Sequence, residues 1–140
     1  MTLFDRFSAV IAAWNARDID AALVGMDDAI VWHFAAGALA PLRGKGAVRS
    51  FLETLHADTI EARWSIRYHA EKDDRLFVEG VDAYTRRNGI SVAMPYAAVI
   101  EFKDGGILAW RDYIDTRRME KQRDGAPMPG HLGALIHGVI

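Results

Sequence analysis

An aspartate lies inside the most apolar strand pattern of the chain, in the run Trp110-Arg111-Asp112-Tyr113-Ile114-Asp115. Successive strand side chains point to opposite faces, so Leu108, Trp110, Asp112 and Ile114 share one side, with Ala109, Arg111 and Tyr113 on the other. A carboxylate among Leu, Trp and Ile is costly to ionise unless something pairs with it, binds it or uses it. A second acid follows the same pattern: Leu76, Val78, Gly80, Asp82 and Tyr84 alternate onto one face. If that face is concave, Asp82 enters the same cavity as Asp112. Like-charge repulsion and desolvation then raise at least one pKa, and a proton donor beside an acceptor is what general acid–base chemistry uses. The competing reading makes both residues structural acids, partly exposed or matched with some of the 17 basic residues. Arg111 sits on the opposite strand face and is a poor direct partner for Asp112.

Around these acids the sequence offers aromatic surface. Trp32, Trp64 and Trp110 all read as strand residues, and Trp32 shares its face with Ile30 and Phe34. As cavity lining they suit a flat, apolar ligand such as a terpenoid, steroid or aromatic polyketide; otherwise they are ordinary core. Tyr84 and Tyr96 offer phenol donors for an oxyanion, or amphipathic packing at a sheet end. His33 alternates with Trp32 and Phe34 and is expected to point away from them. None of the five histidines shows metal-ligand spacing, so neither metal nor cofactor is expected. Gly44-Lys45-Gly46 lacks the pattern of a phosphate loop and reads as a turn into a helix.

The elements that must position these groups follow from periodicity. Leu3, Phe7, Val10, Ile11 and Trp14 form one helical stripe over residues 2–16. Asp18 caps a short helix from Ile19 to Val24, a strand runs from Asp28 to Phe34, and Val48, Phe51, Leu52 and Leu55 mark a third helix over Gly46 to His56. The period then changes to two. Turn signals at Lys72-Asp73-Asp74, Asn88-Gly89 and Asp104-Gly105-Gly106 divide residues 61–114 into four strands of an antiparallel meander. Asp115 caps a final helical turn or two through Arg117, Arg118, Glu120 and Lys121. The two prolines and two glycines of residues 125–130 break the chain, and the apolar stretch from Leu132 to Ile140 closes the pocket mouth, crosses to a partner, or is disordered. Three one-sided helices need one surface to cover, so a strongly curved mixed sheet, dominated by the meander, is expected to wrap over them and leave a pocket.

Composition bounds the function. A chain of 140 residues, 51% hydrophobic and 26% charged, fits one compact domain, read as residues 1–124 with a tail at 125–140. A formal charge of −2 with scattered Lys and Arg gives no electrostatic footprint for nucleic acid or anionic membranes. There is no cysteine, and the opening amphipathic pattern with Asp5 and Arg6 is unlike a secretory leader, so a cytoplasmic location is expected.

The element order over residues 2–123, the Trp110–Asp115 run and the upstream Val81-Asp82 resemble the limonene epoxide hydrolase branch of the SnoaL-like proteins. These belong to the NTF2-like, ketosteroid isomerase-like superfamily. The resemblance implies an α+β cone and a homodimer through the outer sheet face. It also implies that Asp112 is the base and Asp82 the acid. That branch places an Arg two residues before the acid, where this chain has Gly80, and a Tyr-x-Asn pair near Trp32-His33-Phe34, where neither residue matches. The pair of acids without the water clamp resembles instead the proton-moving isomerases and polyketide cyclases of the superfamily. A hydrophobic small molecule is then the expected partner, with epoxide hydrolysis or a non-catalytic binding or assembly module as the alternatives.

Overall fold

The structure, a computed structural model, describes residues 1–138. Helix α1 (Leu3–Asn15) opens on a capping box, Thr2 accepting from the Asp5 backbone N–H and the Asp5 carboxylate accepting from the Thr2 N–H. This satisfies amide donors that a helix start leaves unpaired. Of its expected stripe, Phe7, Val10, Ile11 and Trp14 are buried and Leu3 is half-buried. Helix α2 (Ile19–Val24) starts at Asp18, whose side chain accepts from the Ala21 N–H. Strands β1 (Met26–His33) and β2 (Leu42–Arg43) follow, then α3 (Lys45–Asp58), which buries Val48 and Leu52.

The rest of the sheet is β3 (Thr59–Ala62), β4 (Ser65–Lys72), β5 (Arg75–Arg86), β6 (Ser91–Lys103) and β7 (Gly106–Tyr113). One seven-stranded sheet results, in the order β2-β1-β7-β6-β5-β3, with β4 also paired to β5. All pairs are antiparallel except β1 with β7, which is parallel. This is the curled mixed sheet of an NTF2-like cone, with α1 against it through Phe7, whose ring meets Trp110 edge-on at 5.0 Å.

Two sequence expectations need correction. The first meander strand is split, β3 pairing with the end of β5 and β4 with its beginning. Trp64 falls in the break and is not on a strand. Its backbone groups, freed from the ladder, are taken by one side chain: Asn15 Nδ2 donates to the Trp64 carbonyl at 2.8 Å, and the Trp64 N–H donates to Asn15 Oδ1 at 2.8 Å. The last residue of α1 thus imitates a neighbouring strand where the sheet turns. The second correction concerns Leu108. Between the pairs Glu101↔Ala109 and Phe102↔Ile107 the β7 strand carries one extra residue, so Ile107, not Leu108, continues the buried side of Trp110 and Asp112.

Helix α4 (Thr116–Arg123) is capped by Asp115, which accepts from the Arg118 N–H. It docks on an overhang of β6: pairing with β7 starts at Ala97↔Tyr113, so residues 91–96 have a strand only on the β5 side. There the buried Gln122 amide bonds both backbone groups of Ala93. After the Gly/Pro break, α5 (Gly130–His137) buries Leu132 against Tyr84, Val92 and Met94. Arg67 donates to the carbonyls of Leu135 and Ile136. Ile140, part of the predicted apolar spacing, lies outside the described residues. No described helix is long and apolar enough to cross a membrane.

Replacing Asn15 by Ala leaves two backbone groups at the Trp64 break without a partner. A loss of about 1–3 kcal/mol is expected, read as a lower urea midpoint at unchanged slope.

Candidate acid–base site

The parallel register of β1 and β7 sets Trp32 directly beside Trp110, and their rings stack at 4.5 Å. Four residues of β1 oppose one of β7 between the pairs Met26↔Ile107 and Val31↔Ala109, and this irregularity brings the two tryptophans level. Asp112 follows two residues later on the Trp110 face. Its Oδ2 accepts from Trp32 Nε1 at 2.8 Å and its Oδ1 from Trp110 Nε1 at 2.8 Å. Burial pushes the Asp112 carboxyl up to about 7; the two indole N–H groups oppose this and the charge of Asp82 adds to it. Two bonds to a charged group contribute about 1.5–3 kcal/mol each, against a desolvation penalty of several kcal/mol for a carboxylate. Burial wins.

Asp82 stands on the inward face of β5, opposite Met94. Burial also pushes its carboxyl up to about 7, with the Trp64 indole N–H opposing. Its Oδ1 is buried without a hydrogen-bond partner among the described residues. Neither acid forms a salt bridge among those residues; Arg111, as expected, faces away and pairs with Glu101 at 2.6 Å.

Between the two acids lies Tyr96, opposite Gly80. A Cβ at Gly80 would fall 2.0 Å from the Ser65 carbonyl oxygen and 2.9 Å from the Tyr96 hydroxyl. No side chain fits there without moving backbone, so the site has no room at this position for a bridging arginine. The Tyr96 hydroxyl donates to the Ser65 carbonyl at 3.3 Å, and burial, with both nearby carboxylates, holds its pKa well above the usual phenol value.

Both acids line a cavity of about 590 Å³, open mouth included, together with Trp32, Phe34, Trp64 and Tyr84. Tyr96 and Trp110 line a smaller adjoining void that both acids also reach. All the residues singled out as ligand contacts are therefore brought to the two acids, while His33 lines neither space. Tyr84 differs from Tyr96 in its bonding: its hydroxyl accepts from Arg123 Nη1 at 3.0 Å, leaving its own proton to donate.

Sequence reasoning missed Trp14, Phe51, Thr59 and Arg123, which also line the main cavity. Trp14 was legible as part of the α1 stripe, yet its Nε1 is buried without a partner among the described residues, which periodicity cannot show. No local signal marked Arg123, whose place depends on where α4 docks. Among the described residues no three His, Cys, Asp or Glu side chains come together as a metal site.

Several solved structures share the architecture. An NTF2-like protein of unknown function from Burkholderia pseudomallei has a TM-score of 0.77 at 21% identity, over 87% of this chain and 98% of that one. TerC, co-crystallised with polyporic acid, scores 0.77 at 22% identity over 88% and 98%. An LEH-like epoxide hydrolase from M. tuberculosis scores 0.74 at 22% identity over 86% and 83%. Others carry the names polyketide cyclase and isomerase. At such identities the likeness is one of fold. No curated protein matches the chain. Residues 7–110 match the model of the SnoaL-like domain, and this chain belongs to that family.

Proposed function

We infer that the protein is an acid–base enzyme acting on an apolar small molecule, of isomerase or cyclase type, which moves a proton next to a carbonyl with Asp112 as base and Asp82 as acid. The observation that carries this reading is the unequal bonding of two acids around one cavity. An indole N–H can only donate, so the donors on Asp112 favour its carboxylate form. Asp82 has less support for its charge, its Oδ1 lacking a donor and the Trp64 indole N–H alone opposing burial. Both carboxyls lie near 7, so around neutrality the pair can hold one proton between them, the state in which one acid donates while the other accepts.

Epoxide hydrolysis has less support. Gly80 and Tyr96 occupy the place of a bridging arginine, and the Trp32 N–H is spent on Asp112 rather than on positioning a water. A purely structural role for the acids predicts salt bridges and ordinary pKa values, and Asp82 and Asp112 depart on both counts. A homodimer through the outer sheet face belongs to the same proposal, supported by the exposure of Phe77 and Tyr113 on that side; light scattering on the purified chain is expected to give twice the monomer mass.

In deuterated buffer, the protein is expected to exchange the hydrogens next to the carbonyl of aromatic ketones, followed by NMR. Asp112→Asn lowers this rate by about 10²–10⁴-fold, with ketone binding retained. Unchanged exchange in that variant, or diol formation from epoxides without exchange from ketones, overturns the proposal.

The exchange rate should rise as Asp112 ionises and fall as Asp82 does, both limbs near pH 7. Trp32→Phe removes a donor from the charged form, so the rising limb moves to higher pH.

Both carboxyls are raised in the folded state, so the folded chain holds protons that the unfolded chain has released. Their stabilisation is complete below the ordinary carboxyl value of 3.8 and is lost as pH rises through about 7. Urea midpoints are expected to fall over that window, and the fall should be shallower in Asp82→Asn.

A further inference from the structure

Four guanidinium groups converge on residues 56–59, where α3 runs into β3 beside the main cavity. Arg17 donates to the carbonyls of His56 and Thr59, and Arg87 to that of Ala57. Arg86 bonds both oxygens of Asp58, each at 3.0 Å. Arg123, the last residue of α4, reaches Asp58 Oδ2 at 3.1 Å and the Tyr84 hydroxyl at 3.0 Å. Among the described residues Asp58 is the one carboxylate these four groups contact, so four positive charges meet one negative charge.

Balancing Asp58 does not need Arg123. The fork of Arg86 already balances the charge of that carboxylate in the bidentate geometry that suits it best, and Arg123 adds a second cation to an oxygen that Arg86 holds. A cation at a helix C-terminus interacts favourably with the helix dipole, but only by about 0.3–1 kcal/mol at an exposed site. The position of Arg123 is more telling than its pairing. Arg123 lines the main cavity with Thr59, Tyr84 and both acids, and its guanidinium bonds the Tyr84 hydroxyl of that lining. It has five N–H groups, of which its bonds among the described residues use one on each terminal nitrogen. The Tyr84 hydroxyl beside it retains a proton to donate. Besides its two acids, a largely apolar cavity thus presents, at one place on its wall, a surplus of positive charge and several unspent donors.

We propose that Arg123, together with the Tyr84 hydroxyl, anchors an acidic substituent of the ligand, so that the natural substrates are apolar acids, a carboxylate or comparable anion on an aromatic or terpenoid body. A planar guanidinium fork matches a carboxylate with two parallel bonds. The aromatic walls take the body of the same molecule, and the anchor fixes which of its carbons meets the acid pair. The inference deepens the acid–base reading in naming its substrate class, but the binding preference it asserts is measurable without turnover.

Calorimetry with naphthoic acid and its neutral counterpart naphthalenemethanol, at mildly acidic pH where Asp82 and Asp112 are largely protonated, tests it. The wild type is expected to bind the acid at least about tenfold more tightly than the alcohol. Arg123→Met should bring the acid to the level of the alcohol and leave the alcohol unchanged. Arg123→Lys should retain part of the preference, since it keeps the charge without the fork. Arg87→Met removes the same charge from the cluster without touching the cavity wall, and should retain most of it. A wild type without preference for the acid, or that binds neither probe, overturns the proposal. So does an Arg123→Met variant that keeps the preference. Should that variant not fold, the wild-type comparison and Arg123→Lys decide alone. In Asp112→Asn the preference should persist; a preference without any proton exchange in the wild type would overturn the catalytic reading and leave this one standing.

Discussion

A carboxylate held out of water by two indole N–H groups is the constraint around which this molecule is arranged. Indole donors carry no charge and no proton to give up at accessible pH. They can fix the Asp112 carboxylate in place without neutralising it as an arginine would. The result is an acid that is immobile, desolvated and still basic. A cationic partner would have held it far below neutrality. Here the two bonds fall short of the burial penalty, and the group is left near pH 7.

That arrangement is a product of strand register. Trp32 and Trp110 come from chain positions 78 residues apart and meet because β1 lies parallel to β7 with three surplus residues absorbed in β1. A one-residue slip would turn an indole to the other sheet face. The surplus residue in β7 has the same effect from the other side, since it sets Ile107 into the core and keeps Trp110 and Asp112 on the inner face. Curvature then does for the acids what sequence spacing cannot. Asp82 and Asp112 belong to strands separated by β6, yet they line one cavity.

Most of the architecture was legible because its signals are local. The α1 stripe, the Asp18 and Asp115 caps and the hairpin turns each depend on residues a few positions apart, and each is where the pattern puts it. Asp82 and Asp112 were legible for a related reason: alternation assigns a face, and a charged residue on an apolar face stands out. The features that were not legible are irregularities. Strict alternation cannot anticipate an extra residue, so Leu108 was assigned inward. It also cannot anticipate that an Asn on a helix would replace a strand neighbour, so Trp64 was read as part of a continuous strand. Arg123 was invisible for a third reason. Its role comes from the docking angle of α4, which rests on the Gln122 amide bonding Ala93, a contact between residues with no pattern linking them.

That Gln122 contact also covers an exposed sheet margin. Over residues 91–96 the sheet ends in a bare strand margin, a template onto which another chain could add in register. Ala93 and Pro95 share an orientation along the ladder and direct their backbone groups to that margin. Gln122 consumes both groups of the first, and the second, being proline, has no N–H to offer. The margin is thereby closed at alternate positions, by a side-chain amide and by a missing donor. A truncation that removed α4 would do more than strip Arg123 from the cavity wall. It would open the longest strand of the sheet to intermolecular pairing and set the chain on a course toward aggregation.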